Sequence, residues 1–170
     1  TDVQHLLTQA KNNRVMFSSI GTGAGKSFIA ANLANLSAQT GKKVLLIDAD
    51  LRRGYLHDAL GVSNQNGLSD LLAQGTAIDQ TVQIAAENLH AITRGAMSQA
   101  PSELLASPRF TQLLEWASAN YDVVIVSAPP VLAVTDAAVI GCNVGTVLLV
   151  ARFEQTTPKE IEVSRQRFIN

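Results

Sequence analysis

The chain of 170 residues contains one cysteine, Cys142, so an internal disulfide is impossible and a cysteine-stapled extracellular scaffold is excluded. That single thiol fits a reducing compartment. Aromatic residues make up only 5% of the chain. No apolar run approaches the roughly 20 residues needed to cross a bilayer. The opening residues from Thr1 lack the basic stretch followed by an apolar one that marks a signal peptide. Charge of either sign is also lacking in excess. Thirteen Lys and Arg face fourteen Asp and Glu, a net charge of -1, which removes the electrostatic basis for non-specific binding to nucleic acid or a membrane surface. Internal repeats and low-complexity segments are absent. What remains, 46% hydrophobic and 16% charged, is the composition of an ordinary globular protein, long enough for one domain with a proper core.

Short apolar runs alternate with longer helical patterns. "RVMFSSI" (14–20), "KVLLIDA" (43–49), "LHAIT" (89–93), "VVIVSA" (123–128) and "GTVLLVARF" (145–153) predict strands. Most are apolar throughout rather than alternating, as in strands covered on both faces. "KSFIAANLANLSAQT", "GLSDLLAQ", "SPRFTQLLEWASAN" and "TPKEIEVSRQRFIN" predict helices between and after them. Gly41 lies just past the first helix and Pro158 near the start of the last, where each residue does least harm. The alternation predicts an α/β fold with a mainly parallel sheet and helices on both faces. The ends, "TDVQHLLTQA" and "SRQRFIN", also read as helical, which predicts that the chain is part of something longer.

Between the first strand and the first long helix stands "SSIGTGAGKSF" (18–28). A phosphate-binding loop belongs there, because the N–H groups at a helix N-terminus point at an anion. Glycines at 21, 23 and 25 permit close backbone approach. Lys26 can reach β and γ phosphates, and the Ser27 hydroxyl can ligate magnesium. The strict pattern G-x-x-x-x-G-K-[ST] fails at its first position, which is Ile20. A dinucleotide loop, G-x-G-x-x-G, fails too, since Lys26 occupies the third glycine position. Partitioning ATPases of the ParA/MinD type carry an extra lysine where this chain has Gly21, so they share the general fold and not the loop.

A second motif, "VLLIDADLRRG" (44–54), places Asp48 and Asp50 at the end of the second strand, the sheet edge where α/β ligands collect. At a spacing of two, both carboxylates leave one face of an extended chain. Such strand-end aspartates are common in general. Beside a triphosphate they make sense as magnesium anchors, one of them also serving as a general base. Arg53 reads as a solvated or packing residue.

These motifs resemble those of the bacterial tyrosine kinases (BY-kinases) that control capsule and exopolysaccharide export. "SSIGTGAGKS" resembles their Walker A loop, and "LLIDADLR" matches their Walker A′ pattern of aliphatic residues followed by D-x-D-x-R through Asp48, Asp50 and Arg52. "GKKVLLIDADLRRGYLHDALG", "NGLSDLL", "PSELLASPRF", "LEWASANYDVVIV" and "PPVLAVTDAAVIG" extend the resemblance, in its proteobacterial form, over nearly the whole chain. The resemblance implies a P-loop NTPase-like kinase domain at residues 1–170, a fragment without the transmembrane and periplasmic part and without the C-terminal tyrosine cluster. It implies residence at the cytoplasmic face of the bacterial inner membrane. It also implies Mg-ATP as cofactor, with Gly21, Thr22, Gly23, Ala24, Gly25, Lys26, Ser27 and Phe28 around the nucleotide, and Ser27 and Asp50 on Mg2+. Lys26, Asp48 and Asp50 would be catalytic, with Asp48 helping to activate the tyrosine hydroxyl. The partners implied are other copies of the chain in a ring that phosphorylates in trans, the polysaccharide polymerisation and export proteins, and a phosphotyrosine phosphatase. Nucleic acid is not among them.

The sequence departs from that pattern at "VVIVSAPP" (123–130). In the family this Walker B strand ends in aspartate, a small residue and two prolines. Here Ser127 replaces the aspartate, while Ala128, Pro129 and Pro130 keep their places. Serine can hydrogen-bond a magnesium-bound water but brings no charge. Two readings stay open: nucleotide binding with impaired turnover, as a switch or scaffold of the export machinery, or a working kinase in which Asp48 and Asp50 suffice. A simple ATPase is a third, because water can replace tyrosine. Gly21-Thr22-Gly23 replaces prolines common in the family's loop, making it less preorganised. Only Tyr55 and Tyr121 are present, neither of them in a cluster. Tyr121, just before a strand, reads as packing. The family's glutamate- and arginine-rich oligomerisation segment would fall before Thr1, so ring assembly by this fragment is open. His5, His57 and His90 lack metal-ligand spacing. Trp116, with Phe110, Leu113 and Leu114, reads as core, "SRQR" as a solvated helix face, and Arg152 as aligned with a family arginine near nucleotide or subunit contacts.

Overall fold

A computed structural model describes residues 11–21, 25–131, 136–150 and 156–168. The segment "TDVQHLLTQA", loop residues Thr22, Gly23 and Ala24, and Arg152 lie outside the described residues. The strands are β1 (Arg14–Ser19), β2 (Val44–Asp48), β3 (Gln83–Ala86), β4 (Leu89–Ile92), β5 (Val123–Ser127) and β6 (Thr146–Val150). The helices are α1 (Lys26–Gln39), α2 (Leu56–Leu60), α3 (Leu68–Gln74), α4 (Ile78–Thr81), α5 (Pro101–Leu105), α6 (Pro108–Asn120), α7 (Asp136–Gly141) and α8 (Pro158–Gln166). The strands form one sheet in the order β3-β4-β2-β5-β1-β6. All neighbours are parallel except β3 and β4.

The five predicted strands are therefore present, and the sheet is mainly parallel. The antiparallel edge strand β3 is an addition. Its run "QIAA" alternates half-buried and exposed positions and is too short and too weakly apolar to stand out. Four short helices, α2, α4, α5 and α7, are likewise additions, each of six residues or fewer.

Both faces of the central strands are buried, as the continuous apolar runs require. Leu45 and Ile47 of β2 and Val124 and Val126 of β5 point to one core, with Phe110, Leu113, Leu114 and Ala117 of α6. Those four α6 residues lie at helical spacing and make one stripe. Trp116 is only half-buried and packs on the edge of that core rather than inside it, because it falls beside the stripe. Val44 and Leu46, with Val123 and Ile125, face the second core under α1. There the helix contributes Ala30, Ala31, Ala34 and Ala38, whose small side chains allow a close approach to the sheet.

α8 begins with a reciprocal cap. The Thr157 hydroxyl accepts from Glu160 N–H at 3.3 Å, and Glu160 Oε2 accepts from Thr157 N–H at 2.7 Å. Arg165, Gln166 and Arg167 are exposed as expected, but Ser164 in the same run is fully buried. β1, β5 and β2 lie side by side, so their C-terminal ends converge below the N-terminus of α1.

Candidate functional site

The phosphate-loop segment leaves β1 at Ser19 and enters α1 at Lys26. Gly25 caps the helix with φ of +70°, a left-handed conformation that favours glycine. Gly21 is half-buried, Ser27 is half-buried, and Phe28 is exposed on the first turn of α1. Lys26 is the buried member. Its ammonium donates to Asp50 Oδ2 at 3.1 Å and to the Ala128 carbonyl. The lysine thus ties the helix start to the segments following β2 and β5. A phosphate arriving at the loop would have to share this cation with Asp50.

Asp48 ends β2, whereas Asp50 lies past the strand in a turn. The two carboxylates reach the same sheet end, but the extended geometry stops at Asp48. Asp50 Oδ1 accepts from the N–H groups of Arg52 and Arg53 at 3.3 and 3.0 Å. Asp48 is fully buried and forms no ion pair among the described residues. It accepts from Asp50 N–H and Leu56 N–H, both at 3.2 Å. Burial pushes its carboxyl up to about 7, an effect the Leu56 N–H and the nearby Lys26 only partly offset. Gly54 is required here, since a Cβ at that position would come within 2.2 Å of an Asp48 oxygen.

Ser127 is paired in register with Asp48 and also with Phe17 of β1. Its hydroxyl is buried and has no hydrogen-bond partner among the described residues. An unpartnered buried oxygen beside two carboxylates and a half-buried serine makes a set of hard oxygen donors, which suits Mg2+ rather than a softer metal. No cluster of three or more His, Cys, Asp or Glu side chains with metal-binding geometry occurs among the described residues.

The remaining predicted residues stay apart from this cluster. Tyr55 is 61% exposed. The Tyr121 hydroxyl and His90 Nδ1 share a hydrogen bond of 2.7 Å, and Trp116 packs edge-on against the tyrosine ring, so Tyr121 packs as expected. Asp136 was not legible as a site residue. It is buried at the start of α7 and bound by Arg52. An acidic residue opening a short helix is too common to single out without its partner.

A family model described as an AAA domain matches residues 13–156. The chain is 48% identical, over 100% of its own length and 24% of the relative, to a putative tyrosine-protein kinase in the cps region of Klebsiella pneumoniae. It is 47% identical to the tyrosine-protein kinase Etk of Escherichia coli strain K12, over 98% of this chain and 23% of that one. The solved kinase domain of Escherichia coli ETK superposes with a TM-score of 0.91 at 45% identity, over 98% of this chain and 69% of that one. The chain belongs to the bacterial tyrosine-kinase family. The BceF tyrosine kinase domain agrees, with a TM-score of 0.89 at 42% identity, covering 98% of this chain and 67% of that one. Septum site-determining protein MinD from Pyrococcus horikoshii, complexed with Mg-ADP, shares the fold at a TM-score of 0.76 and 23% identity. This BY-kinase chain spans about a quarter of the length of the curated relatives it matches. No helix among its described residues is long and apolar enough to cross a membrane.

Proposed function

We propose that this chain is the ATP-binding, autophosphorylating tyrosine-kinase module of a longer protein that regulates exopolysaccharide or capsule synthesis and export. The observation that carries the reading is the convergence of Lys26, Asp48, Asp50 and Ser127 at one sheet end under the start of α1. Residues 21–28 would surround the nucleotide, with the loop backbone and the N-terminus of α1 taking the phosphates. Ser27 and Asp50 would hold Mg2+, which supplies charge neutralisation of the phosphates when bound. Lys26 would place its positive charge on the transferring phosphoryl group. Asp48, whose carboxyl sits at about 7, is suited to accept the proton of a tyrosine hydroxyl near neutral pH as its oxygen attacks the γ-phosphorus. The bond to the β-phosphate then breaks, leaving ADP. The longer protein would sit at the cytoplasmic face of the inner membrane. It would assemble with its own copies in a ring, phosphorylate their tyrosines in trans, work with polysaccharide export proteins and be reset by a phosphotyrosine phosphatase.

One observation favours a second reading, a nucleotide-binding switch with weak catalysis. Ser127 supplies a buried hydroxyl where the family has a charge, and that hydroxyl is unpartnered. Both readings are tested by phosphotyrosine formation from Mg-ATP on a tyrosine-cluster peptide. The unsubstituted chain runs beside Ser127→Asp and the blank Lys26→Met. Labelling equal to that of Ser127→Asp supports the kinase. Labelling by Ser127→Asp alone supports the switch. Labelling of no variant, with nucleotide binding unchanged in Lys26→Met, overturns both.

A further inference from the structure

Arg52 connects two acidic residues. Its backbone N–H donates to Asp50 Oδ1, and its side chain runs the other way, Nε donating to Asp136 Oδ2 at 3.2 Å. The Arg52 Nη2 also reaches Ser102 Oγ at 3.4 Å, and the Ser102 hydroxyl donates to Asp136 Oδ1. Both oxygens of Asp136 are thereby engaged. Its side chain is 1% exposed, against 43% for Arg52. A carboxylate buried this far is costly unless its partners are held in place, so the arrangement constrains Arg52 strongly. Phosphoryl transfer as derived above has no use for a third carboxylate at this point.

The constraint reaches the metal residue. Asp50 Oδ1 is fixed by the N–H groups of residues 52 and 53, while Oδ2 meets Lys26. A shift of the 50–53 turn moves the donors on Oδ1 and therefore turns Oδ2. Among the described residues, Arg52–Asp136 and Lys26–Asp50 are the ion pairs that join this turn to other parts of the chain.

We infer that Asp136 is a positioning residue: through Arg52, with Ser102, it sets the stance of the Asp50 carboxylate and so the affinity of the site for the Mg2+ that accompanies ATP. This rests on the Mg-ATP reading of the site. It assigns a role to a residue in neither sequence motif.

The test is a Mg2+ titration of binding of a fluorescent ATP analogue, with thermal melting of each variant alongside. Asp136→Asn keeps the shape and removes the charge, and should raise the half-saturating Mg2+ concentration about tenfold, as loss of an outer-shell partner does. Nucleotide affinity at saturating Mg2+ should change by less than about twofold, because the loop and Lys26 are untouched. Asp136→Glu should recover part of the shift. Arg52→Gln combined with Asp136→Asn should be no worse than the worse single variant, because the two act as one unit. Ser118→Ala, which removes a partner of Arg14 at the opposite sheet end, should lower the melting temperature and leave the Mg2+ midpoint in place. An Asp136→Asn chain that melts lower with an unmoved midpoint overturns the inference. Should Asp136→Asn fail to fold, Ser102→Ala decides: a midpoint raised by about twofold or more supports the inference, and an unmoved one overturns it. If Lys26→Met binds the analogue as the parent does, the nucleotide-site reading fails, and this inference with it.

Discussion

The two ends of the sheet treat polar groups differently. At the start of the parallel strands, the Asn13 side-chain amide donates to the carbonyls of Ser118 and Tyr121, at 3.1 and 2.8 Å. Arg14 donates to Ser118 Oγ at 2.6 Å and to the Asn143 carbonyl at 3.0 Å. Asp122 accepts from Lys43 N–H at 2.8 Å. At the other end, among the described residues, Asp48 is buried without an ion pair, and the hydroxyls of Ser127 and Thr93 are buried without partners. One end is satisfied and serves stability. The other holds unmet electrostatic demand, the signature of a site shaped for a ligand rather than for the fold alone.

The comparison breaks most sharply if charge is added where demand is already unmet. Ser127→Asp puts a second buried carboxylate in register with Asp48. In EDTA it should lower stability by about 3 kcal/mol, the order expected for an uncompensated buried charge. Mg2+ with ATP should reverse the loss, read by thermal melting with and without both. Equal melting in the two conditions would show that no cation is drawn to this end.

Asp48 supplies a pH test of comparable size. Its carboxyl is raised from 3.8 to about 7 on folding, so between these values the folded chain holds a proton that the unfolded chain has released. That contribution to stability is fully present below about pH 4 and is lost as pH rises through about 7, on the order of 4 kcal/mol in all. Asp48→Asn should flatten this slope in urea unfolding at pH 5, 6, 7 and 8 without Mg2+. A slope unchanged by the substitution would place the titration elsewhere.

Smaller effects sharpen the contrast from the satisfied end. Asn13→Ala removes the donor from the carbonyls of Ser118, Tyr121 and Asp122 and should destabilise by about 1–3 kcal/mol in urea unfolding, with nucleotide affinity unmoved. The smallest effect belongs to Ser127→Ala. Because its hydroxyl has no partner to lose, stability should change by less than about 1 kcal/mol, with a gain as acceptable as a loss. A larger loss would mean that the hydroxyl is bonded in solution.

Much of this was legible from local signals. The glycine-rich run ending in Lys26-Ser27 lies between a strand and a helix as predicted, and the serine in the Walker B position stands in register with Asp48. β3 was not legible, because its four residues acquire strand character only by pairing with β4. Nor was the orientation of α1. Alanines face the sheet, while Phe28 and Leu36 stand 68% and 62% exposed, the reverse of what side-chain hydrophobicity alone would assign. Close packing of a helix on a sheet selects small residues, and sequence periodicity does not register that preference.

By itself the sequence determined five of the six strands, the four longer helices among the described residues, the glycine-rich run that precedes α1 and the serine at position 127. These depend on residues near one another in the chain, where period and motif carry the information. Tertiary structure decided that Lys26 holds Asp50, that Asp48 forms no ion pair among the described residues and that Asp136 anchors Arg52. Those pairings join residues 24 and 84 positions apart. The physical reason is that burial and distance set electrostatic strength, and both arise only when the sheet brings its strand ends together.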